Sequence, residues 1–275
     1  MNDGIRLAVK RDIPALCKIW RDCFSDSEEY IRTFYSENFE RIKVVIYEAD
    51  GKPVSMVNIF SACVVTEKSQ QNAEYLYAVG TLKAYRGNGF MSAVLRHIVT
   101  RAKESEKALF LKPSSLEITE FYKPFGFIGR TYLCPVSLTP AEIIDIDVCD
   151  ISCVEYNRMR DAAFKNMPYV RWDNGHIRWC IEENKLFSGK TVKIEFESKC
   201  YFLLGYPEGN TLIINETDLS LSQLKQLSGA LCRLFGTENL KAYMPYNACN
   251  ECDKTISSLL CNTSERNIYV NLIMM

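Results

Sequence analysis

A glycine-bearing turn at residues 85–91, Tyr-Arg-Gly-Asn-Gly-Phe-Met, separates a strand-like run from a helix-like run. Residues 75–81 before it are aromatic and β-branched, and apolar residues recur after it at helical spacing. A turn that opens a helix presents backbone N–H groups at the positive end of the helix dipole, and Arg86 adds a positive charge. The pattern therefore predicts an anion-binding loop suited to a pyrophosphate.

Other interpretations of this loop stay open. Its glycines do not fit G-x-G-x-x-G, and the G-K-[ST] ending of a P-loop is missing, so a dinucleotide fold and a nucleotide hydrolase are both weakly supported. An ordinary turn, in which Gly87 and Gly89 only allow a positive φ, accounts for the heptapeptide equally well.

A second pair of elements lies about thirty residues further along the chain. Residues 109–113 predict a buried strand, and residues 114–122 predict a short helix. The aromatic pair Phe121-Tyr122 then leads to Gly126-Phe127. Together with the glycine-rich loop, this segment resembles the GNAT superfamily of acyl-CoA-dependent N-acetyltransferases.

The resemblance extends over about residues 4–134 and depends on two motifs. In the family the loop has Arg or Gln, two residues, Gly, one residue, then Gly or Ala. Arg86, Gly89 and Met91 occupy these positions, and Met91 departs from the small final residue. The family's aromatic-Tyr and Gly-Phe steps are matched by Phe121-Tyr122 and Gly126-Phe127.

The resemblance implies an α/β (α+β) fold, with a mixed, mostly antiparallel central sheet flanked by helices. The expected order is strand, two helices, three strands, the glycine-rich loop and its helix, then strand, helix and strand. Hydrophobic periodicity in residues 5–60 agrees with this order, and Asp50-Gly51 predicts a hairpin turn.

After about residue 135 the predicted elements repeat that order. Strands are expected at 134–136, 191–196, 200–204, 211–215, 240–244 and 267–273, and helices at 154–166, 175–186 and 220–235. At the place of the glycine-rich loop the chain carries Glu216 and Asp218, whose carboxylates would repel a pyrophosphate. Asp218 or Ser220 is instead expected to cap the following helix.

We therefore predict two GNAT-like domains in tandem. Residues 1–134 are expected to form the catalytic, acetyl-CoA-binding domain, and residues 135–275 a degenerate copy without acyl-CoA. The resemblance implies that an acetyl group passes from acetyl-CoA to a primary amine by direct attack in a ternary complex. The acceptor class is a small molecule or a peptide.

The resemblance also implies which residues hold the donor. Pantetheine would pair with the strand that ends at Thr81, a strand N–H would polarise the thioester carbonyl, and the pyrophosphate would lie on the loop. The expected cofactor-binding residues are Val79, Gly80, Thr81, Arg86, Gly87, Asn88, Gly89, Phe90 and Met91.

Two catalytic roles are expected. Tyr122 matches the family's tyrosine general acid, although a tyrosine packed between helix and sheet is the alternative. Glu74 is the nearest carboxylate for a general base. A solvated strand end, a water chain, or the terminal carboxylate of Met275 are the alternatives to that role.

Two groups of residues could belong to an acceptor pocket. The aromatic residues Tyr30, Phe34, Tyr35, Tyr75 and Tyr77 could line it, or form core. The acidic residues Asp26, Glu28 and Glu29 would suit a cationic amine, or they belong to a helix N-terminus.

Composition limits the remaining possibilities. With 33 basic and 34 acidic residues, the chain has no net field that attracts nucleic acid or an anionic membrane. No segment has the length of a transmembrane helix, and the first residues lack the pattern of a signal peptide, so we expect a cytoplasmic protein.

Most of the 12 cysteines are expected to be reduced and buried, and the C-x-x-C at 249–252 has no second pair at zinc-site spacing. No metal is therefore expected.

Two other functions stay open. A non-catalytic acyl-CoA-binding or regulatory protein would keep Arg86 and Gly89 without transferring the acyl group. A tandem GNAT transferase that uses aminoacyl-tRNA would need a basic tRNA track, which the near-neutral charge does not favour. The oligomeric state is left open by the sequence.

Overall fold

The computed structural model describes residues 4–115, 117–246, 255–265 and 267–272. The chain divides into two compact units. The first consists of the described residues within segments 1–63, 71–129 and 259–264, and the second of those within segments 64–70, 130–258 and 265–275. The main division thus falls after Gly129, near the predicted domain boundary after residue 134. The assignment of domains to 1–134 and 135–275 stays a prediction.

The described residues before Gly129 form five strands and four α-helices of the first unit. In chain order these are β1 (Gly4–Leu7), α1 (Ile13–Cys23), α2 (Glu28–Asn38), β2 (Lys43–Ala49), β3 (Lys52–Val65), β4 (Gln70–Thr81), α3 (Phe90–Glu104), β5 (Ala108–Leu111) and α4 (Ile118–Tyr122). Its sheet has the strand order β1-β2-β3-β4-β5, with β1/β2 and β2/β3 antiparallel and β4/β5 parallel. This is the predicted order of elements.

The core of the first unit is aromatic. Trp20 of α1 lies within 6.2 Å, ring centre to ring centre, of Tyr30 and within 5.4 Å of Tyr77. The five aromatic residues that could have lined an acceptor pocket, Tyr30, Phe34, Tyr35, Tyr75 and Tyr77, are all buried. The core interpretation of these residues is therefore confirmed.

The acidic residues before α2 have structural partners. Ser27 is the N-cap and its side chain accepts from the backbone N–H of Tyr30. Asp26 accepts a hydrogen bond from Nε1 of Trp20 at 2.8 Å, and Glu28 pairs with Arg32 at 2.5 Å. These contacts account for Asp26 and Glu28 without a bound amine.

The second unit contains the remaining strands and helices. These are β6 (Gly129–Leu138), β7 (Asp147–Asp150), α5 (Cys153–Phe164), β8 (Tyr169–Trp172), α6 (Asn174–Leu186), β9 (Lys190–Phe196), β10 (Lys199–Glu208), β11 (Thr211–Thr217), α7 (Leu221–Phe235), β12 (Asn239–Pro245) and β13 (Thr255–Cys261). The last residues of β13, from Leu259, belong to the first unit and pair with β5. The sheet of the second unit has the order β6-β12-β11-β10-β9-β7.

The strand arrangement of the first unit recurs in the second. There, β7, β9, β10 and β11 form successive antiparallel pairs, and β11 and β12 form a parallel pair, as β4 and β5 do. Two helices precede β9, as two helices precede β2, and α7 connects the parallel strands as α3 does. A buried apolar cluster that includes Leu224, Leu227 and Leu231 of α7 joins this helix to the sheet.

Three strands of the second unit were not predicted, namely β7, β8 and β13. Conversely, the strand predicted at 267–273 is wrong for the described residues, which form only an isolated bridge between Tyr169 and Tyr269. Asn267 and Leu272 have φ of 56° and 53°, so the chain leaves extended geometry at both ends of this segment.

The prediction for the cysteines is correct in part. Of the cysteines that the structure describes, nine are free thiols and Cys134 is disulfide-bonded. The expectation that most are buried is wrong for these ten residues, of which Cys134, Cys180, Cys232 and Cys261 are buried, and Cys149 and Cys200 are exposed on strands β7 and β10. The C-x-x-C at 249–252 lies outside the described residues. Within the described part of the chain, no helix is both long and apolar enough to cross a membrane.

Candidate functional site

The parallel strands β4 and β5 separate at the end of their pairing. Their register runs from Ala73↔Ala108 to Leu76↔Leu111, where β5 ends, whereas β4 continues to Thr81. Ala78 has a φ of 48°, a left-handed conformation that is unfavourable for a residue with a side chain. The kink lies directly after the last paired residues and begins a stretch of β4 that β5 does not cover.

The predicted donor-binding residues Val79, Gly80 and Thr81 occupy this stretch. A Cβ atom placed on Gly80 would lie 3.0 Å from Sγ of Cys23, so the end of α1 packs closely against the strand. The hydroxyl groups of Thr81 and Ser55 share a hydrogen bond of 2.8 Å. The strand end is thus held by α1 and β3.

The glycine-rich loop follows with the geometry that the sequence indicates. Gly87 and Gly89 have φ of 82° and 78°, and a Cβ atom on either would meet no atom within 4 Å. Both glycines are therefore required by backbone conformation and not by lack of space. Gly89 is the N-cap of α3 and offers no side chain, so the first-turn N–H groups of α3 receive no side-chain cap. Such a helix start can accept an anion.

The other loop residues fix this helix start. Nδ2 of Asn88 donates to the carbonyl of Tyr85 at 3.2 Å, and the ring of Phe90 stacks on Tyr47 of β2 at 4.5 Å. The exposed side chain of Arg86 folds back and donates from Nε to the carbonyl of Thr81 at 3.2 Å. Met91, which departs from the family motif, is partly buried in the first turn of α3.

Tyr122 ends helix α4 and is 5% exposed. Its ring contacts Phe121 and Phe127, with ring centres 5.2 Å and 5.9 Å apart. Burial raises the pKa of the phenol to about 12. Within the described part of the chain its hydroxyl has no hydrogen-bond partner. The side chain is therefore a neutral phenol.

Glu74 lies in the paired part of β4, opposite Leu109 of β5. Its carboxylate accepts from Nζ of Lys107 at 2.7 Å and from Nζ of Lys43 at 3.5 Å. The residue is 8% exposed, so its interpretation as a solvated strand end is wrong. Its role as a base stays a prediction, and Met275 lies outside the described residues.

The corresponding loop of the second unit has a different construction. Ser220 caps α7 and forms a capping box with Gln223, so the backbone N–H of Gln223 in the first turn has a side-chain partner, whereas α3 has no side-chain cap. Ser220, one of the two expected caps, is thus the cap. The other, Asp218, accepts instead from the backbone N–H of Phe202 at 2.8 Å.

The free end of β11 in the second unit is covered by the chain itself. β11 continues beyond its last register pair with β12, Ile214↔Ala242, and the side chain of Asn271 donates to the carbonyl of Asn215 there. Asn271 is fixed in turn, since Nε1 of Trp172 donates to its carbonyl at 3.0 Å. Glu216 is fully buried and pairs with the equally buried Arg160 at 3.0 Å. The sequence-based argument that the Glu216 carboxylate repels a ligand is therefore incomplete, because Arg160 compensates its charge.

Sequence analysis missed several residues that shape the first site. Asp22 accepts from the backbone N–H of Lys83 at 2.5 Å, and Cys23 contacts Gly80 and Thr81. Both lie at the end of α1, about 60 residues before the loop, and no local motif marks them. Ala78 is equally unmarked, since alanine gives no signal of a left-handed conformation.

Comparison with known proteins agrees with this geometry. Residues 4–128 match the family model of the acetyltransferase (GNAT) domain. Among curated proteins no match was found.

Solved structures share the fold over almost the whole chain. A GCN5-related N-acetyltransferase from Anabaena variabilis ATCC 29413 has 13% identity and a TM-score of 0.73, over 94% of this chain and 72% of that chain. A GCN5-related N-acetyltransferase from Kribbella flavida has 15% identity and a TM-score of 0.69, over 94% of this chain and 71% of that chain. Eis1 from Mycobacterium abscessus has 12% identity and a TM-score of 0.67, over 94% of this chain and 73% of that chain. At these identities the likeness shows a common fold, and the predicted GNAT fold is confirmed. Residues 4–128 of this chain are thus similar in sequence to the GNAT acetyltransferase domain, and the chain shares its fold with these solved structures.

Proposed function

We propose that this chain is an N-acetyltransferase that transfers an acetyl group from acetyl-CoA to a primary amine of a small molecule or peptide, by direct attack in a ternary complex. The observation that carries the proposal is the continuation of β4 beyond β5, with the kink at Ala78, into a glycine loop that leaves the start of α3 uncapped. The match of residues 4–128 to the GNAT acetyltransferase domain supports acyl transfer in general.

The backbone of the first unit supplies the donor site in this proposal. The stretch Val79–Thr81, which β5 does not cover, offers N–H and C=O groups to pantetheine amides, and one of its N–H groups polarises the thioester carbonyl. The N–H groups from Arg86 to Met91 take the pyrophosphate, and the Arg86 side chain leaves the Thr81 carbonyl to add a positive charge. Acetyl-CoA, when bound, supplies the activated acyl group.

We assign proton donation to Tyr122. A general acid must carry its proton at the working pH, and burial keeps this phenol neutral because its pKa is about 12. Its role is to donate to the departing sulfur. Glu74 is the carboxylate candidate for the general base. Its ion pairs with Lys107 and Lys43 must break before it accepts a proton.

The second unit has no donor site in this proposal and is a degenerate copy of the first. Its recurring strand order supports a duplication. Asn271 fills the place beside the free end of β11, and the Ser220 capping box uses the N-terminus of α7. One molecule of acetyl-CoA per chain is the expected stoichiometry.

The donor site is tested by calorimetric titration of acetyl-CoA into the wild type and into the variant that combines Arg86→Glu with Gly89→Glu. We expect micromolar binding at one site in the wild type and its loss in the double variant, because two carboxylates then face the pyrophosphate. Lys103→Glu, which inverts a charge at the far end of the same helix, is the control and should keep the affinity. Absence of binding to the wild type would refute the proposal.

The rival function, a non-catalytic acyl-CoA-binding protein, is separated by Tyr122→Phe. If Tyr122 is the general acid, turnover with an amine acceptor falls by about 10²- to 10⁴-fold while the acetyl-CoA affinity is unchanged. Acetyl-CoA binding without transfer to any member of an amine panel would favour the rival.

A further inference from the structure

A groove in the first unit lies between the second half of α3 and strands β2, β3 and β4. Its empty volume, which includes space open to solvent, is about 370 Å³. The residues that line it are Lys43, Val45, Ile59, Glu74, His97, Ile98, Arg101, Ala102, Ser105 and Lys107. None of these residues belongs to the donor loop. Arg101 is twelve residues after Gly89 on α3, which corresponds to about 18 Å along the helix axis.

The lining separates into an apolar part and a polar part. Val45, Ile59, Ile98 and Ala102 contribute hydrocarbon surface, and the two α3 residues among them belong to the buried face of that helix. His97, Arg101 and Ser105 recur every four residues along α3 and therefore share one side of the helix. Cations from other elements, Lys43 of β2 and Lys107 before β5, complete the polar part.

The charges of the groove do not balance. Glu74 is the carboxylate among the lining residues, and it is engaged by Lys107 at 2.7 Å and Lys43 at 3.5 Å. The side chain of Arg101 has no ion pair or hydrogen bond with any described residue. With His97 counted as neutral, the three cationic side chains exceed the single carboxylate by two charges.

We propose that this groove is a binding site for a small organic anion with two or more negative charges, carried by carboxylate or phosphate groups. Arg101 supplies the primary anion contact, because its guanidinium can donate two parallel hydrogen bonds to either group. Lys43 and Lys107 add positive charge, and the hydrocarbon surface packs against the carbon skeleton.

A purely structural reason for the cations also exists. Basic residues in the last turn of a helix stabilise it by complementing the helix dipole, and both Arg101 and Lys103 lie in the last turn of α3. The two explanations differ in one respect. Arg101 lines the groove and Lys103 does not. Binding of a ligand in the groove should therefore depend on Arg101 and not on Lys103, whereas the helix dipole involves both residues.

The test uses calorimetric titration of citrate, and separately of glycerol 3-phosphate, into the full chain at fixed ionic strength. The wild type is expected to bind one equivalent of at least one of these anions. Arg101→Glu should weaken that binding at least tenfold, and Lys103→Glu less than threefold. Tighter binding of citrate identifies carboxylates as the ligand chemistry, and tighter binding of glycerol 3-phosphate identifies a phosphomonoester.

Two results would overturn the proposal. One is the absence of saturable binding of either anion to the wild type. The other is equal weakening by Arg101→Glu and Lys103→Glu, which would reduce the effect to the general charge of the helix end. Both side chains are exposed, so circular dichroism should show the same folded state in all three proteins.

Discussion

The thiol of Cys23 donates to the carbonyl oxygen of Thr81, with 3.2 Å between Sγ and O. The same oxygen accepts from Nε of Arg86, also at 3.2 Å. The end of helix α1, the end of strand β4 and the arginine of the glycine-rich loop therefore meet at one carbonyl group. The packing of α1 thus helps to position the proposed donor site.

Gly80→Ala tests the close packing between α1 and β4. The new Cβ would lie 3.0 Å from Sγ of Cys23, which forces the two elements apart. We expect a loss of about 1–3 kcal/mol in the free energy of unfolding, measured by urea denaturation, together with weaker acetyl-CoA binding. Adding Cys23→Ala should recover part of the stability that Gly80→Ala costs. An equal cost in both backgrounds would show that the contact with Cys23 is not the cause.

Gly89→Ala tests the conformational requirement at the start of α3. The φ of 78° is unfavourable for alanine although space is free around the new Cβ, so we expect a loss of about 1–2 kcal/mol in unfolding free energy. Gly4→Ala is the matched control, because its Cβ also meets no atom within 4 Å but its φ is not left-handed. Equal effects of the two substitutions in urea denaturation would contradict the argument.

Glu216→Gln tests the buried ion pair of the second unit. Arg160 and Glu216 are both fully buried, and the hydroxyl of Tyr156 also donates to the carboxylate at 2.9 Å. Removing one charge leaves the other buried without compensation, so we expect a loss of about 3–5 kcal/mol in unfolding free energy. The double variant with Arg160→Met should be less destabilised than Glu216→Gln alone.

An exposed ion pair supplies the control for this experiment. Lys185 pairs with Glu182 at 2.8 Å on helix α6 of the same unit, and both side chains are exposed. Lys185→Met should cost less than about 1 kcal/mol, because solvent screens exposed pairs. A similarly small cost for Glu216→Gln would mean that burial does not strengthen the Arg160 pair.

Asp218→Asn tests a pH dependence of stability. Burial raises the pKa of the Asp218 carboxyl from 3.8 to about 6. The folded protein then holds this proton more tightly than the unfolded chain, so the contribution to stability is complete below about pH 4 and decreases as the pH rises to about 6. Asparagine has no such titration. Relative to Asp218→Asn, the wild type should therefore lose roughly 2 kcal/mol between pH 4 and pH 7. Parallel pH profiles of unfolding free energy for the two proteins would refute this assignment.

Local sequence determined several of the helices and the geometry of the glycine-rich loop. Periodicity located α3 and α7, positive-φ glycines appeared where Gly87 and Gly89 had indicated a turn, and Ser220 was one of the two residues expected to cap α7. These features depend on interactions between residues a few positions apart, and such interactions leave a pattern in the chain.

Tertiary structure alone decided which distant groups meet. Cys23 reaches Thr81, Asn271 reaches Asn215, and Glu74 is engaged by Lys107 and Lys43, which changes a possible strand end into a buried ion pair. The left-handed conformation of Ala78 also follows from strand packing, since alanine does not favour it. Contacts between residues far apart in sequence form only when strands and helices pack together, and for that reason no local pattern in the chain records them.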